Sequence, residues 1–162
     1  MGGAVVSTPA SSTLPTPSAV PRTGCDLQPV DVVRDAVRHF GARYLDRVYT
    51  PAEQASYAAG GPASLAARFA AKEAVLKLIG TADGVDLRSV EIRTPAVGGG
   101  RPEVHLTGRA AELAEEAGVD AAGIDVSLSH TADLAMAVAI GLQRPTTQTT
   151  NETATMNETG TA

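Results

Sequence analysis

Four charged side chains fall within ten consecutive residues of this chain. Residues 68–77 have the sequence RFAAKEAVLK, which contains Arg68, Lys72, Glu73 and Lys77. Buried charges lower stability unless they are paired with one another or bind a metal ion or a ligand. If this segment is buried, its charged groups are expected to line an internal polar site.

The surrounding sequence predicts a helix that buries part of this segment. Residues 63–79 contain neither Gly nor Pro and consist largely of strong helix formers. At about 100° per residue, Lys72 falls within an apolar stripe and Arg68 lies beside it. Glu73 and Lys77 share the edge of that stripe. The stripe consists of Leu65, Phe69, Leu76 and Ile79. Most of the remaining face is alanine, so the helix can pack closely on both sides.

The same spacing also has a purely structural interpretation. Glu73 and Lys77 are four residues apart, which favours an ordinary ion pair on the helix surface worth about 0.2–0.5 kcal/mol. Lys72 could extend its ammonium to water along an apolar surface. On this segment alone both interpretations stay open, and the rest of the chain must decide between them.

The composition predicts one folded domain between two tails. The chain has 162 residues, which suffices for one domain with a real core. Residues 1–19 are rich in Ser, Thr and Pro, and residues 143–162 are mostly Thr, Asn and Glu without periodicity. Neither segment has enough bulky apolar side chains to offset the entropy of ordering. We therefore expect two disordered tails and a folded domain at residues 20–142.

Charge and cysteine content exclude several classes of function. A net charge of −5 and an aromatic content of 3% argue against general nucleic-acid binding. Cys25 is the only cysteine, so no internal disulfide can form, which fits a reducing cytoplasm. We see no secretion signal and no stretch approaching the roughly 20 apolar residues of a membrane helix. The sequence predicts a soluble, cytoplasmic protein without a nucleic-acid or membrane partner.

Hydrophobic periodicity and turn residues predict an α+β fold. A capping box at residues 50–53 starts a short helix. Longer helices are predicted at residues 30–40, 63–79 and 108–117. Strands are predicted at residues 19–27, 87–93, 102–107, 124–129 and 134–140. A Gly-rich turn is predicted at residues 96–100, and the first strand is expected to be short and interrupted by Pro21 and Gly24. Helices thus come early and antiparallel strands late.

Three positions outside the central helix are candidates for binding. Asp26 lies at the end of the first predicted strand, where an acidic residue is more often a turn or cap residue than a ligand. His130 lies at a junction between strand and turn beside hydroxyl side chains, where polar residues are common in any case. The loop that ends at Gly84 could offer backbone N–H groups to a phosphate, although it matches no P-loop.

A basic patch is predicted on the polar face of the helix at residues 30–40. It contains Arg34 and Arg38, and Arg43 follows shortly. Such a patch is usually a solvated face. It could also attract an acidic partner helix through complementary charge.

Three separated segments together resemble the motifs of the holo-acyl-carrier-protein synthases, the small trimeric 4′-phosphopantetheinyl transferases. They are residues 24–27 (GCDL), 68–77 (RFAAKEAVLK) and 127–131 (SLSHT). The second motif is the specific one, and the order and spacing of all three make chance agreement improbable. The resemblance covers roughly residues 23–141. It implies a 4′-phosphopantetheinyl transferase-like fold, in which an antiparallel sheet packs with a long central helix, and a homotrimer.

The resemblance also implies a reaction. The phosphopantetheine arm of coenzyme A is transferred to a serine hydroxyl of an apo acyl carrier protein, which releases adenosine 3′,5′-bisphosphate. Asp26 and Glu73 match the family's Mg²⁺ ligands, and Glu73, directly or through a metal-bound water, is the candidate proton acceptor. Lys77 would stabilise or protonate the leaving phosphate. Arg68 and Lys72 match basic residues near the nucleotide phosphates.

The remaining candidates concern the partners. His130 matches a residue that reaches coenzyme A from the neighbouring protomer, so the site would be shared between subunits, and Gly84 is assigned to the coenzyme A side. Arg34 and Arg38 would face the acidic helix of the carrier protein. Two alternatives are a catalytically silent relative that binds coenzyme A or carrier protein, and a plain α+β oligomerisation domain. The choice among fatty-acid, polyketide and peptidyl carriers stays open.

Overall fold

The computed structural model of the chain describes residues 19–94 and 100–144. Within these ranges the helices are α1 (Val30–Phe40), α2 (Ala42–Val48), α3 (Pro51–Ala55), α4 (Tyr57–Ile79) and α5 (Gly108–Glu116). The strands are β1 (Val20–Pro29), β2 (Val90–Arg93), β3 (Glu103–Leu106), β4 (Asp125–His130) and β5 (Leu134–Gln143). Residues 1–18 and 145–162 of the predicted tails, and most of the turn predicted at residues 96–100, lie outside the described residues.

The five strands form one antiparallel sheet in the order β1-β5-β4-β3-β2. The strand nearest the start of the described chain therefore pairs with the last, from Val20 opposite Gln143 to Pro29 opposite Leu134. α4 packs across this sheet, mainly against β1 and β5. The α+β class, with a long helix on an antiparallel sheet, is confirmed.

β1 is longer than the sequence predicts. The expected interruption at Pro21 and Gly24 is wrong, because both residues lie inside a continuous strand of ten residues. An edge strand pairs on one side only, so it tolerates a proline whose missing N–H faces the open side. A smaller correction applies to residues 87–93, where a 3₁₀ turn (Leu87–Ser89) precedes β2.

α4 contains a kink before its straight segment. Gly61 has φ 59° and ψ −159°, a conformation that other residues rarely adopt, and Pro62 follows as the first residue of the straight segment. The helix then continues to Ile79 and ends at Gly80, which has φ 100°. The helix predicted at residues 63–79 is thus confirmed.

The inner face of β5 carries small side chains, and its outer face carries large ones. Ala135, Ala137 and Ala139 of β5 are fully buried beneath α4, which itself presents buried alanines. The alternate residues of β5 point outward and are 37–55% exposed: Leu134, Met136, Val138, Ile140 and Leu142. This arrangement lets the helix approach the sheet closely and leaves a broad apolar surface on the opposite side.

Among the described residues, 19–94 and 100–144, no helix is both long enough and apolar enough to cross a bilayer.

Candidate active site

Asp26 and Lys77 form an ion pair between β1 and α4. The Lys77 Nζ lies 2.7 Å from Asp26 Oδ1 and also donates to the backbone carbonyl of Cys25 at 3.1 Å. Glu73 lies one helical turn before Lys77 and is half-buried. The structure therefore places a strand carboxylate beside two charged groups of the helix, although 51 residues of sequence separate Asp26 from Lys77.

Gly24 makes this approach of strand and helix possible. A Cβ built on Gly24 would lie 2.0 Å from the carbonyl oxygen of Ala74 and 2.7 Å from the backbone nitrogen of Leu78. Only a residue without a side chain fits at such a distance. Side chains two residues apart in a strand share a face, so Gly24 brings Asp26 onto the same helix surface.

The charges of the cluster influence one another. Loss of hydration raises the pKa of the Glu73 carboxyl, the negative charge of Asp26 raises it further, and Lys77 opposes both effects. The hydrogen bond to Asp26 raises the pKa of Lys77, which keeps its ammonium charged. A half-buried carboxylate with a raised pKa is a stronger base than an ordinary one, which is what a proton acceptor requires.

The donor set suits Mg²⁺ in company with a phosphate. Asp26 and Glu73 supply two carboxylates, and the repulsion between them is relieved when a cation binds. Among the described residues no group of three or more His, Cys, Asp or Glu side chains could hold a metal by itself. Mg²⁺ is commonly bound by one or two carboxylates together with substrate phosphates and water. The two carboxylates fit that pattern.

A shallow depression of about 300 Å³ opens beside the cluster. Its lining consists of Glu73, Leu76, Lys77, Gly80, Thr81 and Ala82. Gly84 lies in the exposed turn just beyond and has φ 69°. The depression gives a phosphate-bearing ligand a path to the Glu73 carboxylate and the Lys77 ammonium.

Lys72 does not belong to this surface, and its surroundings give no support to its expected place near the nucleotide phosphates. Its side chain has no exposure, and its ammonium lies 2.8 Å from Glu53 Oε2. It also donates to the carbonyls of Leu87 at 2.9 Å and Val90 at 2.5 Å. With these three acceptors and no contact with solvent, Lys72 cannot reach a nucleotide phosphate from this position.

Glu53 is the residue that sequence reasoning missed. The sequence predicts for it only a capping box, and that box is present: Thr50 N donates to Glu53 Oε2 at 2.8 Å. The same carboxylate accepts from Lys72 and, through Oε1, from the backbone nitrogen of Ile92 at 2.8 Å. No local pattern indicates these contacts, because they join α3 to α4 and β2 across the core.

Arg68 reaches the β2 edge of the sheet, away from Asp26 on β1. It is 7% exposed and donates to Ser64 and, at 2.6 Å, to the hydroxyl of Thr94, just after β2. Its Nε has no partner among the described residues. β1 and β2 are the two outer strands, so four spacings of about 4.8 Å separate them by roughly 19 Å. One chain therefore does not bring Arg68 and Asp26 together.

His130 and the arginine patch are also separate from the cluster. His130 is the exposed last residue of β4 and pairs with Ala135, which pairs with Gln28 of β1. Two strands and two residues put its backbone roughly 12 Å from that of Asp26. Arg34 and Arg38 are exposed on α1.

Comparison with known proteins identifies the family. Residues 22–139 match the family model of the 4′-phosphopantetheinyl transferase superfamily. The chain belongs to this superfamily. It is 46% identical over 122 residues to a holo-[acyl-carrier-protein] synthase from Desulforudis audaxviator, covering 74% of this chain and 90% of that relative. A second such synthase, from Koribacter versatilis, is 40% identical over 73% of this chain and 94% of its own length.

Solved structures agree with this assignment. The acyl carrier protein synthase of Mycobacterium tuberculosis superposes with a TM-score of 0.56 and 35% identity, over 76% of this chain and 97% of that one. The synthase of Chronobacterium ammoniagenes in complex with coenzyme A gives 0.64 and 27%, over 78% and 98%. The superfamily resemblance inferred from residues 24–27, 68–77 and 127–131 is thereby confirmed.

Proposed function

We propose that this protein is a holo-[acyl-carrier-protein] synthase. It transfers the 4′-phosphopantetheine group of coenzyme A to a serine of an apo acyl carrier protein and releases adenosine 3′,5′-bisphosphate. The observation that carries the proposal is the cluster of Asp26, Glu73 and Lys77, assembled through the Gly24 contact in a chain of this superfamily. These residues supply a base, a cation and two metal-binding carboxylates beside an open depression.

Every residue of the cluster has a task in this reaction, and Glu73 has two. The serine oxygen bonds to the phosphorus next to the pantetheine arm while the bond from that phosphorus to the bridging oxygen of the pyrophosphate breaks. Glu73 accepts the serine proton, directly or through a water, and the Lys77 ammonium stabilises the leaving phosphate. Asp26 and Glu73 would hold Mg²⁺, which neutralises charge on the transferring phosphoryl group when it is bound.

A trimer with shared sites forms part of the proposal. The outer face of β5 presents five large apolar side chains, which in a single chain remain in contact with water. Further copies of the same chain would cover this face. The distance between the Asp26 edge and the Arg68 edge is then understandable, because Arg68 and His130 of one subunit can complete the coenzyme A site of a neighbour. Gly84 would contact the cofactor from the turn after α4.

The carrier protein is proposed to bind at α1. Arg34 and Arg38 are exposed there, and the weak contact of Arg38 with Asp35 (3.9 Å) leaves its charge available. An acidic helix is the complementary partner. A cytoplasmic location accompanies the proposal, supported by the single cysteine.

Intact-mass spectrometry tests the reaction directly. An apo acyl carrier protein is incubated with this protein, coenzyme A and Mg²⁺, with EDTA in a parallel sample. We expect a metal-dependent gain of one phosphopantetheine arm, and the Glu73→Gln variant, with an intact fold, should lose roughly 10²–10⁴-fold in rate. Fatty-acid, polyketide and peptidyl carriers are compared to identify the substrate.

The same experiment separates the alternatives. No mass gain on any carrier, together with thermal stabilisation by coenzyme A, would favour a silent relative, because a ligand that prefers the folded state raises its stability. If neither transfer nor thermal stabilisation is observed, the plain α+β oligomerisation domain is the remaining alternative.

A further inference from the structure

The Lys77 ammonium is bound to the Asp26 carboxylate, which a divalent cation would need as a ligand. The ammonium lies 2.7 Å from Asp26 Oδ1, a charge-assisted hydrogen bond, and it also donates to the backbone carbonyl of Cys25. Asp26 is the less exposed partner, at 16% against 54% for Lys77. The cation in this pair is therefore the side chain with room to move.

The charges of the cluster give a reason for such a movement. Asp26, Glu73 and Lys77 together carry one net negative charge, and a bound divalent cation would reverse that sign. An ammonium and a divalent cation on the same carboxylate repel each other. Lys77 is half-exposed and unbranched, so it can turn toward the depression that it also lines.

We propose that the Lys77 ammonium is the resident counterion of Asp26 in the metal-free protein and leaves Asp26 when a divalent cation binds there. The released ammonium then lies free beside the depression, where it can meet a phosphate. The Lys77 ammonium thus becomes available to a phosphate only after the metal has bound. The inference rests on the proposed function, in which Asp26 is a metal ligand.

The lysine content of the chain makes the exchange measurable. The sequence contains two lysines, Lys72 and Lys77, so lysine-selective ¹³C labelling gives two side-chain Cε signals. Mg²⁺ alone is titrated into the protein without coenzyme A. We expect the Lys77 signal to shift saturably while the buried Lys72 signal stays in place as an internal control. A Lys77 signal that stays in place throughout the titration overturns the exchange.

A second measurement uses affinity and does not depend on transfer. Calorimetry should show that Lys77→Met binds Mg²⁺ roughly tenfold more tightly than the parent, because the competing charge is gone. Arg88→Met removes an exposed cation from another ion pair, Arg88–Asp86, and should leave the affinity unchanged. Equal or weaker binding by Lys77→Met contradicts the proposal.

Failure of the exchange and failure of the proposed function are distinguishable. If the parent protein transfers phosphopantetheine while Lys77 stays on Asp26 in Mg²⁺, the exchange alone is refuted. If no carrier is modified, the proposed function fails, whatever the lysine signals do.

Discussion

The two lysines of the chain lie five residues apart on α4 and have opposite environments. Lys72 is without exposure and holds Glu53 and two backbone carbonyls in the core. Lys77 is half-exposed and holds Asp26 at the edge of an open depression. Five residues turn a helix by about 140° beyond a full turn, so one helical segment presents one lysine inward and the other outward. Under the proposed function, the comparison teaches that a motif of charged residues can combine a structural cation with a chemical one.

The largest expected effect is on the buried lysine. Lys72→Met leaves the carboxylate of Glu53 buried without its cation, which should lower the free energy of unfolding by about 3–5 kcal/mol. Urea denaturation measures the loss. The double variant Glu53→Gln/Lys72→Met keeps an oxygen for the backbone nitrogen of Ile92 and removes both charges, so it should recover part of the stability. A Lys72→Met protein as stable as the parent but unable to bind coenzyme A would indicate that Lys72 binds the cofactor.

The second prediction concerns Lys77, for which the transfer rate rather than the stability should change. Lys77→Met should lower the transfer rate roughly 10²–10³-fold, as expected when a group that stabilises developing charge is removed. The urea midpoint should hardly change, because exposed ion pairs contribute little to stability. Turnover by intact-mass kinetics and unfolding are measured on the same preparation. A variant that keeps its rate, or one that loses its fold instead, would erase the distinction between the two lysines.

Sequence periodicity predicted the inward position of Lys72 but not its task. The apolar stripe of residues 63–79 already placed Lys72 inside. Its partner Glu53 could not be found, because the pairing depends on how α3 packs against α4 rather than on local spacing. Only the family resemblance predicts that Asp26 lies near Glu73 and Lys77, since no periodicity links a strand residue to a helix residue 51 positions away.

The misjudged start of β1 has the same origin. Local propensity treats Pro21 and Gly24 as breakers. In the fold, Pro21 lies on an edge strand, where a proline is tolerated. Gly24 is required because the α4 backbone leaves no room for a side chain. Class and element order follow from local patterns, whereas contact between elements decides which exceptions are tolerated.

A substitution at Gly24 tests whether the ion pair of Lys77 with Asp26 depends on the close approach of β1 to α4. Gly24→Ala places a methyl group against the α4 backbone, which should cost about 1–3 kcal/mol of stability and also slow transfer, because Asp26 moves away from Lys77. Gly141→Ala is the matched control, since its Cβ would meet Leu78 and Val119 at an ordinary 3.5 Å. Unfolding and kcat are compared for both. Equal behaviour of the two variants would show that the close approach of β1 does not position the cluster.

The smallest effect separates attraction of the partner from chemistry. Arg38→Gln removes an exposed charge from α1 and should raise KM for the carrier protein by about three- to tenfold, with kcat unchanged. Because exposed charges act through a screened field, the difference should shrink as salt is added. Arg109→Gln on α5 removes another exposed cation and should have no such effect. If Arg38→Gln lowered kcat as Lys77→Met does, α1 would belong to the chemistry. If both arginine variants changed KM alike, the carrier would be sensing net charge rather than the α1 surface.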